Sequence, residues 1–252
     1  MPINGIGVYA HRGAKRTSPE NTLEAFHRAR REGVDGIECD VRLSADGEPI
    51  LFHDADGSRL LGRAAPIRSL RWSELRSLRL SGGQRIPHLD EAFDLMSAWK
   101  AELFLDLHED RLDLVEAVVR RLPAEIKDRT FLLDFYGKRK LLLHARALDP
   151  EVRIAVMPGL PWRLRASADI GAASLCVGWD GPWTRLGYRA ACALHDVRGE
   201  IARLIKDGVP VSGGIANTPL DIAYFLAQGV SGIWTDDLAL AQGFLVGAPS
   251  RM

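Results

Sequence analysis

Eight short apolar runs, many of them β-branched, recur along the chain: GIGVYA (5–10), DGIECDV (35–41), AELFLDL (101–107), TFLLDF (130–135), VRIAVM (152–157), ASLCV (173–177), VPVSG (209–213) and SGIWT (231–235). Between them lie helix-period segments such as NTLEAFHRARREG (21–33), LDEAFDLMSAWK (89–100), LDLVEAVVRRL (112–122), RGEIARLIKDG (198–208) and TPLDIAYFLAQG (218–229). Strands that alternate with helices pair in parallel, and eight of them can close into a barrel without sheet edges. An open doubly wound sheet is the alternative, but no GxGxxG or Walker A run supports a nucleotide-binding version of it. At 252 residues the chain suits one closed (β/α)₈ barrel, a single domain over residues 1–252.

One segment breaks the alternation. RLSADGEPILFHD (42–54) reads as a hairpin with Asp46-Gly47 at the turn and ILFH as the returning strand. The stretch 54–88, rich in Arg, Ser and Gly, then delays the next helix, and is expected to lie over the barrel mouth with a short helix at WSELRSL (72–78). Asn21 stands where a helix cap belongs with Glu24 at the box position, and Gly33, Gly208 and Gly229 stand at C-terminal stops.

Composition narrows the partners. Lys+Arg and Asp+Glu both total 33, so no global field draws the chain to nucleic acid or anionic lipid, and any phosphate selectivity must be local. Three scattered cysteines, Cys39, Cys176 and Cys192, fit neither a disulfide framework nor a zinc site, which points to a reducing, cytoplasmic setting. No apolar run reaches transmembrane length and the first residues lack a signal-peptide pattern, so a soluble protein without integral membrane association is expected.

In a βα barrel the ligand site forms at the C-terminal strand ends. There the first strand runs into His11-Arg12-Gly13, the second carries Glu38 and Asp40, the hairpin return ends at His53-Asp54, and the third barrel strand carries Asp106 and His108. Glu38 and Asp40, two apart on a strand, share the face opposite Ile37, Cys39 and Val41, so they point into the barrel. Paired buried carboxylates repel unless a cation lies between them; oxygen ligands suit Mg²⁺ or Ca²⁺, and Asp106 can complete the set. The competing reading is a structural ion-pair network with Arg12. His11 and His53 flank the carboxylates and can exchange protons near neutrality, although a lone strand-end histidine is more often a hydrogen-bonded structural residue. Arg12 offers a fork for phosphate or a partner for Glu38 or Glu20, and Gly13 allows a sharp turn or the close approach of a ligand. Trp162, Trp179, Trp183 and Trp234, near later strand ends, line an apolar side of the pocket or pack in the core. Neither GxSxG nor HExxH occurs, so acyl-enzyme and zincin chemistries lack support.

Taken together, HRG (11–13), PENT (19–22), GIECDVRLSADGEPILFHD (36–54), IPHLDEAF (86–93) and GVSGIWTDD (229–237) resemble the glycerophosphodiester phosphodiesterases. The resemblance implies a TIM barrel with a small insertion after the second strand. It implies His11 and His53 as general acid and base, Arg12 on the phosphate, Glu38 and Asp40 on a divalent cation, and Glu20 and Asn21 as supports. The implied reaction cleaves a small-molecule glycerophosphodiester to glycerol 3-phosphate and an alcohol, with the substrate's 2-hydroxyl attacking phosphorus to give a cyclic phosphate. A lysophospholipase D or sphingomyelinase D-like cleavage of a lipid phosphodiester, and a non-catalytic phosphate-binding barrel, are the alternatives. The chain departs from the family at three places. Asp106-Leu107-His108 replaces Glu-x-Lys, which makes His108 a phosphate contact expected to weaken above neutral pH. Asp134 replaces a serine and adds a carboxylate near the pocket, and Gly214 replaces a tryptophan, which is expected to open that side.

Overall fold

Each apolar run becomes a strand in the computed structural model, which describes residues 2–80, 82–179 and 181–247. These are β1 (Gly7–His11), β2 (Gly36–Leu43), a short return β3 (Pro49–Leu51), β4 (Glu102–Leu107), β5 (Thr130–Phe135), β6 (Arg153–Met157), β7 (Ser174–Gly178), β8 (Val211–Gly214) and β9 (Gly232–Thr235). Apart from β3, the strands pair in parallel around a ring, and β9 closes on β1. The described residues therefore form a closed eight-stranded (β/α)₈ barrel.

Strand parity divides the apolar residues into two layers. Ile37, Cys39 and Val41 of β2, with Leu103, Leu105 and Leu107 of β4, pack outward against helices. Tyr9, Phe104, Phe131, Leu133, Cys176 and Trp234 point inward. Their rings interlock, Tyr9 stacking on Trp234 at 4.7 Å and Phe104 on Phe131 at 4.6 Å. This plug fills the barrel, so a ligand is confined to the mouth.

The helices follow their sequence signals with one change at the first cap. Thr22, not Asn21, caps the helix Leu23–Arg31, its hydroxyl accepting from Ala25 N at 3.2 Å. Asn21 instead takes a left-handed backbone, φ +55°, and turns inward to the site. Gly33, Gly208 and Gly229 occupy the left-handed stop positions at φ +73°, +84° and +90°.

The segment after β2 also differs in detail. Its returning strand ends at Leu51, leaving Phe52 and His53 beyond the ladder, and the 72–78 helix stops after one turn, Trp72–Leu75. Ile50, Phe52, Ile67, Leu70, Leu75, Leu80 and Ile86 form a small core of their own. His88 follows this segment as a cap: its Nδ1 accepts from Asp90 N at 3.2 Å while Glu91 accepts from His88 N at 2.9 Å. Among the described residues, no helix is long and apolar enough to cross a membrane.

Candidate active site

The first turn after β1 shapes the site. Arg12 adopts φ +60°, a conformation that non-glycine residues occupy at a cost of roughly 1–3 kcal/mol and that clusters at functional sites. The turn aims Arg12 N at Glu38 Oε2, 2.9 Å away, and its carbonyl accepts from Asn21 N at 3.1 Å. Gly13 follows at φ +78°, where a Cβ would lie 2.8 Å from Ala25 Cβ, so the close approach is made by the first helix. Arg12 and Asn21, both left-handed, are thus held to each other at the barrel lip.

The carboxylates meet as strand parity requires. Asp40 and Asp106 are register partners on β2 and β4, and Glu38, Asp40 and Asp106 each offer an oxygen within 4.8 Å of the others. Asp40 is the hub: it accepts from Asn21 Nδ2 at 2.6 Å, lies 3.0 Å from Arg12 Nε, and lies 2.7 Å from His108 Nε2. Burial opposes its charge, but His108 and Arg12 outweigh burial and hold its pKa below the ordinary carboxylate range. Glu38 is the reverse case. Burial, then the neighbouring Asp40 and Asp106, push its pKa well up, and its buried Oε1 has no hydrogen-bond partner. An orphaned buried oxygen beside two more carboxylates fits a hard divalent cation bound by oxygen.

His108 lies between two of these acids, 3.3 Å from Asp106 Oδ2 as well as 2.7 Å from Asp40 Oδ1. Burial works against its proton, yet the hydrogen bonds to Asp106 and Asp40 hold its pKa up at about 10. The expectation that this charge fades above neutrality treats the ring as facing solvent, whereas the ring faces Asp40 and Asp106, both of which favour its proton.

The two strand-end histidines flank this cluster in different ways. His11 Nδ1 lies 2.8 Å from Asp236 Oδ1 and 3.0 Å from Lys15 Nζ, and its Nε2 lies 3.9 Å from Glu38 Oε2. Burial lowers its pKa, with Lys15 and Arg12 adding to that effect against the bond to Asp236. His53 Nδ1 pairs with Asp54 Oδ1 at 2.7 Å, and its ring centroid stands 4.5 Å from that of His108. Glu20 closes the ring of contacts, accepting from Arg12 Nη1 at 3.1 Å.

Several participants were not singled out from sequence. Arg59 grips Asp54 through Nε at 2.7 Å and reaches Glu20 through Nη2 at 2.6 Å, tying the insertion to the first turn. No sequence signal marks Arg59, because the contact exists only after the insertion folds back. Asp236, anchored by Asn217 Nδ2 at 2.7 Å, lies within the GIWTDD stretch, and Lys15 lies four residues past His11; both were within reach of inspection.

Two expectations are corrected. Asp134 has the parity of Leu132, which packs on the helix side of β5, whereas Phe131 and Leu133 point inward. It is not brought to the cluster; its contacts are Phe135 N at 2.7 Å and Lys138 Nζ at 3.5 Å. Gly214 does not open the barrel either, since a Cβ there would lie 2.4 Å from Trp234 Cβ. Of the four tryptophans, Trp234 and Trp179 are buried in packing, and Trp162 and Trp183 are exposed.

Burial of Asp134 raises its pKa to about 7, only partly countered by Lys138. A carboxylic acid with a folded pKa above its unfolded value favours folding below about pH 4, and that contribution is lost as pH rises through 7. Asp134→Asn is therefore expected to leave stability near pH 4 almost unchanged and to gain on the order of 4 kcal/mol over wild type by pH 8. Urea titrations at the two pH values check it, and a pH-independent difference would refute it.

The closed βα barrel thus gathers acids, two histidines and an arginine at one mouth, a setting for acid–base chemistry on an anionic ligand. The glycerophosphoryl diester phosphodiesterase family model matches residues 11–135, and the chain belongs to that family. A glycerophosphodiester phosphodiesterase of Caldanaerobacter subterraneus subsp. tengcongensis is 27% identical over 246 residues, covering 91% of this chain and 93% of the relative. The mouse glycerophosphodiester phosphodiesterase 1 is 26% identical over 180 residues, 67% of this chain and 53% of the relative. The chain thus spans about half the length of the mammalian relatives it matches. A solved Oleispira antarctica phosphodiesterase in complex with the product sn-glycerol-3-phosphate shares the fold, with a TM-score of 0.75, 23% identity and coverage of 95% of this chain and 96% of that one.

Proposed function

We propose that the chain hydrolyses small glycerophosphodiesters to glycerol 3-phosphate and an alcohol. The observation that carries this reading is the placement of His11 and His53 on either side of the Glu38–Asp40–Asp106 cluster, in a chain of this family. In the tautomer whose Nδ1–H donates to Asp236, His11 Nε2 is left to take a proton, and burial lowers the pKa of the ring. His11 is then the base for the substrate's 2-hydroxyl. His53, oriented by Asp54, gives a proton to the departing oxygen, and the roles reverse when water opens the cyclic phosphate. Arg12 and His108 offset charge growing on the phosphoryl oxygens, while Glu20 and Asn21 hold Arg12 and Asp40 in place. Glu38, Asp40 and Asp106 are the ligands for Mg²⁺ or Ca²⁺, which when bound supplies further positive charge to those oxygens. The three free thiols support a cytoplasmic setting.

A second reading, cleavage of a lipid-like phosphodiester such as a lysophospholipid, is favoured by exposed Trp162 and Trp183 near the strand ends. Turnover of glycerophosphodiesters and lysophospholipids with Mg²⁺, Ca²⁺ and EDTA tests both readings. Release of glycerol 3-phosphate that EDTA abolishes is expected, and phosphate binding without turnover would leave a binding barrel. Cation at a hundredfold excess over its Kd is also expected to stabilise the fold by about 2.7 kcal/mol. Thermal unfolding with and without EDTA reads that gain, and an unchanged midpoint would count against the metal site.

A further inference from the structure

The connection after β7 contains one more helix than the barrel needs. Pro182–Ala193 precedes the helix Val197–Lys206 that leads back to β8, and within it only Tyr188 is buried. Trp183, Leu186, Gly187 and Ala190, with Leu194 at the helix end, recur at i, i+3, i+4, i+7 and i+11, which aligns them on one face. That face points outward: Trp183 is 83% exposed, Leu186 63% and Leu194 90%. Trp162, on the turn Pro161–Arg163 after β6, is 56% exposed, and both connections leave the strand ends that carry the site.

The arginines beside this face divide into two pairs. Of the four in PGLPWRLRASA (158–168) and PWTRLGYRAACA (182–193), Arg165 is paired with Asp169 at 3.2 Å and Asp207 at 3.4 Å, and Arg185 with Asp221 at 3.4 Å. Arg163 and Arg189 lie over the rings of Tyr136 and Tyr224, and neither has a carboxylate partner among the described residues. Outward tryptophan and leucine on a helix with arginine beside them is the chemistry of a segment lying in a membrane interface.

We propose that this face docks the barrel mouth onto an anionic lipid bilayer surface, with Trp183, Leu186, Leu194 and Trp162 in the headgroup region and Arg163 and Arg189 against lipid phosphates. The docking is peripheral. It does not depend on the hydrolysis reading, because binding is measured without turnover.

Co-sedimentation of the whole chain with vesicles tests it. Wild type is expected to pellet with phosphatidylcholine vesicles containing phosphatidylglycerol, and binding is expected to fall about tenfold in Trp183→Glu/Leu194→Glu. Arg163→Gln/Arg189→Gln is expected to lose the preference for anionic over neutral vesicles, as is wild type at high salt. Circular dichroism confirms that the variants fold. Failure of wild type to pellet at low salt, or equal pelleting of the Trp183→Glu/Leu194→Glu variant, would overturn the proposal. So would sedimentation equilibrium showing a wild-type dimer that this variant dissolves, since the face would then serve a second copy. Unchanged turnover of a water-soluble glycerophosphodiester by these variants separates docking from chemistry.

Discussion

Replacing either His11 or His53 with alanine is expected to lower kcat for a glycerophosphodiester by about 10²- to 10⁴-fold, the usual contribution of a positioned acid or base. Each ring sits at the lip of the barrel with solvent on one side, and neither belongs to a hydrophobic cluster. The unfolding midpoint should therefore shift little, and the Kd for product should stay close to wild type. His11 makes the sharper test. Its pKa is lowered by burial, so the limb of the pH–rate profile assigned to the base should lie below the ordinary histidine value and vanish in His11→Ala. Wild-type turnover by either variant would remove acid–base catalysis from the account.

Asp40→Ala should have the largest effect on the molecule as a whole. The carboxylate is buried among Arg12, Asn21 and His108, and its removal takes away the partner these three share, leaving Arg12 to Glu20 and His108 to Asp106. Breaking a buried charge network from one side costs about 3–5 kcal/mol, so a clear drop in the urea midpoint is expected along with loss of turnover. Asp40→Asn separates the two effects. It keeps an oxygen for Asn21 but removes the charge, so it should recover part of the stability while turnover stays low. If alanine leaves the midpoint unchanged, Asp40 is not the hub that the geometry makes it.

The barrel was readable because its rule is local. Each strand announces itself by an apolar run, and parity alone puts Glu38 and Asp40 on the inner face. The same rule, applied one strand further on, excludes Asp134 from the pocket, since it shares parity with Leu132. Family likeness drew it toward the site, whereas alternation assigns it to the helix side. The surroundings of His108 were not legible for a different reason: two acids, Asp40 and Asp106, face its ring, and their distances to it are not a property of sequence. Arg59 lies further out of reach. Its partners Glu20 and Asp54 converge only once two separate connections have folded against each other.

The small hydrophobic core beneath residues 50–86 gives the molecule two units of unequal size. One is the barrel, which carries the acids, Arg12 and His11; the other is the appendage, which is continuous with His53 and carries Arg59. With only seven buried side chains in its cluster, the appendage is expected to open at a lower free-energy cost than the barrel, which hydrogen exchange would read. Its opening would carry His53 away and leave His11 fixed on β1. Turnover, on the proposed reading, would then be lost without the barrel unfolding, and its working range would be set by the smaller unit.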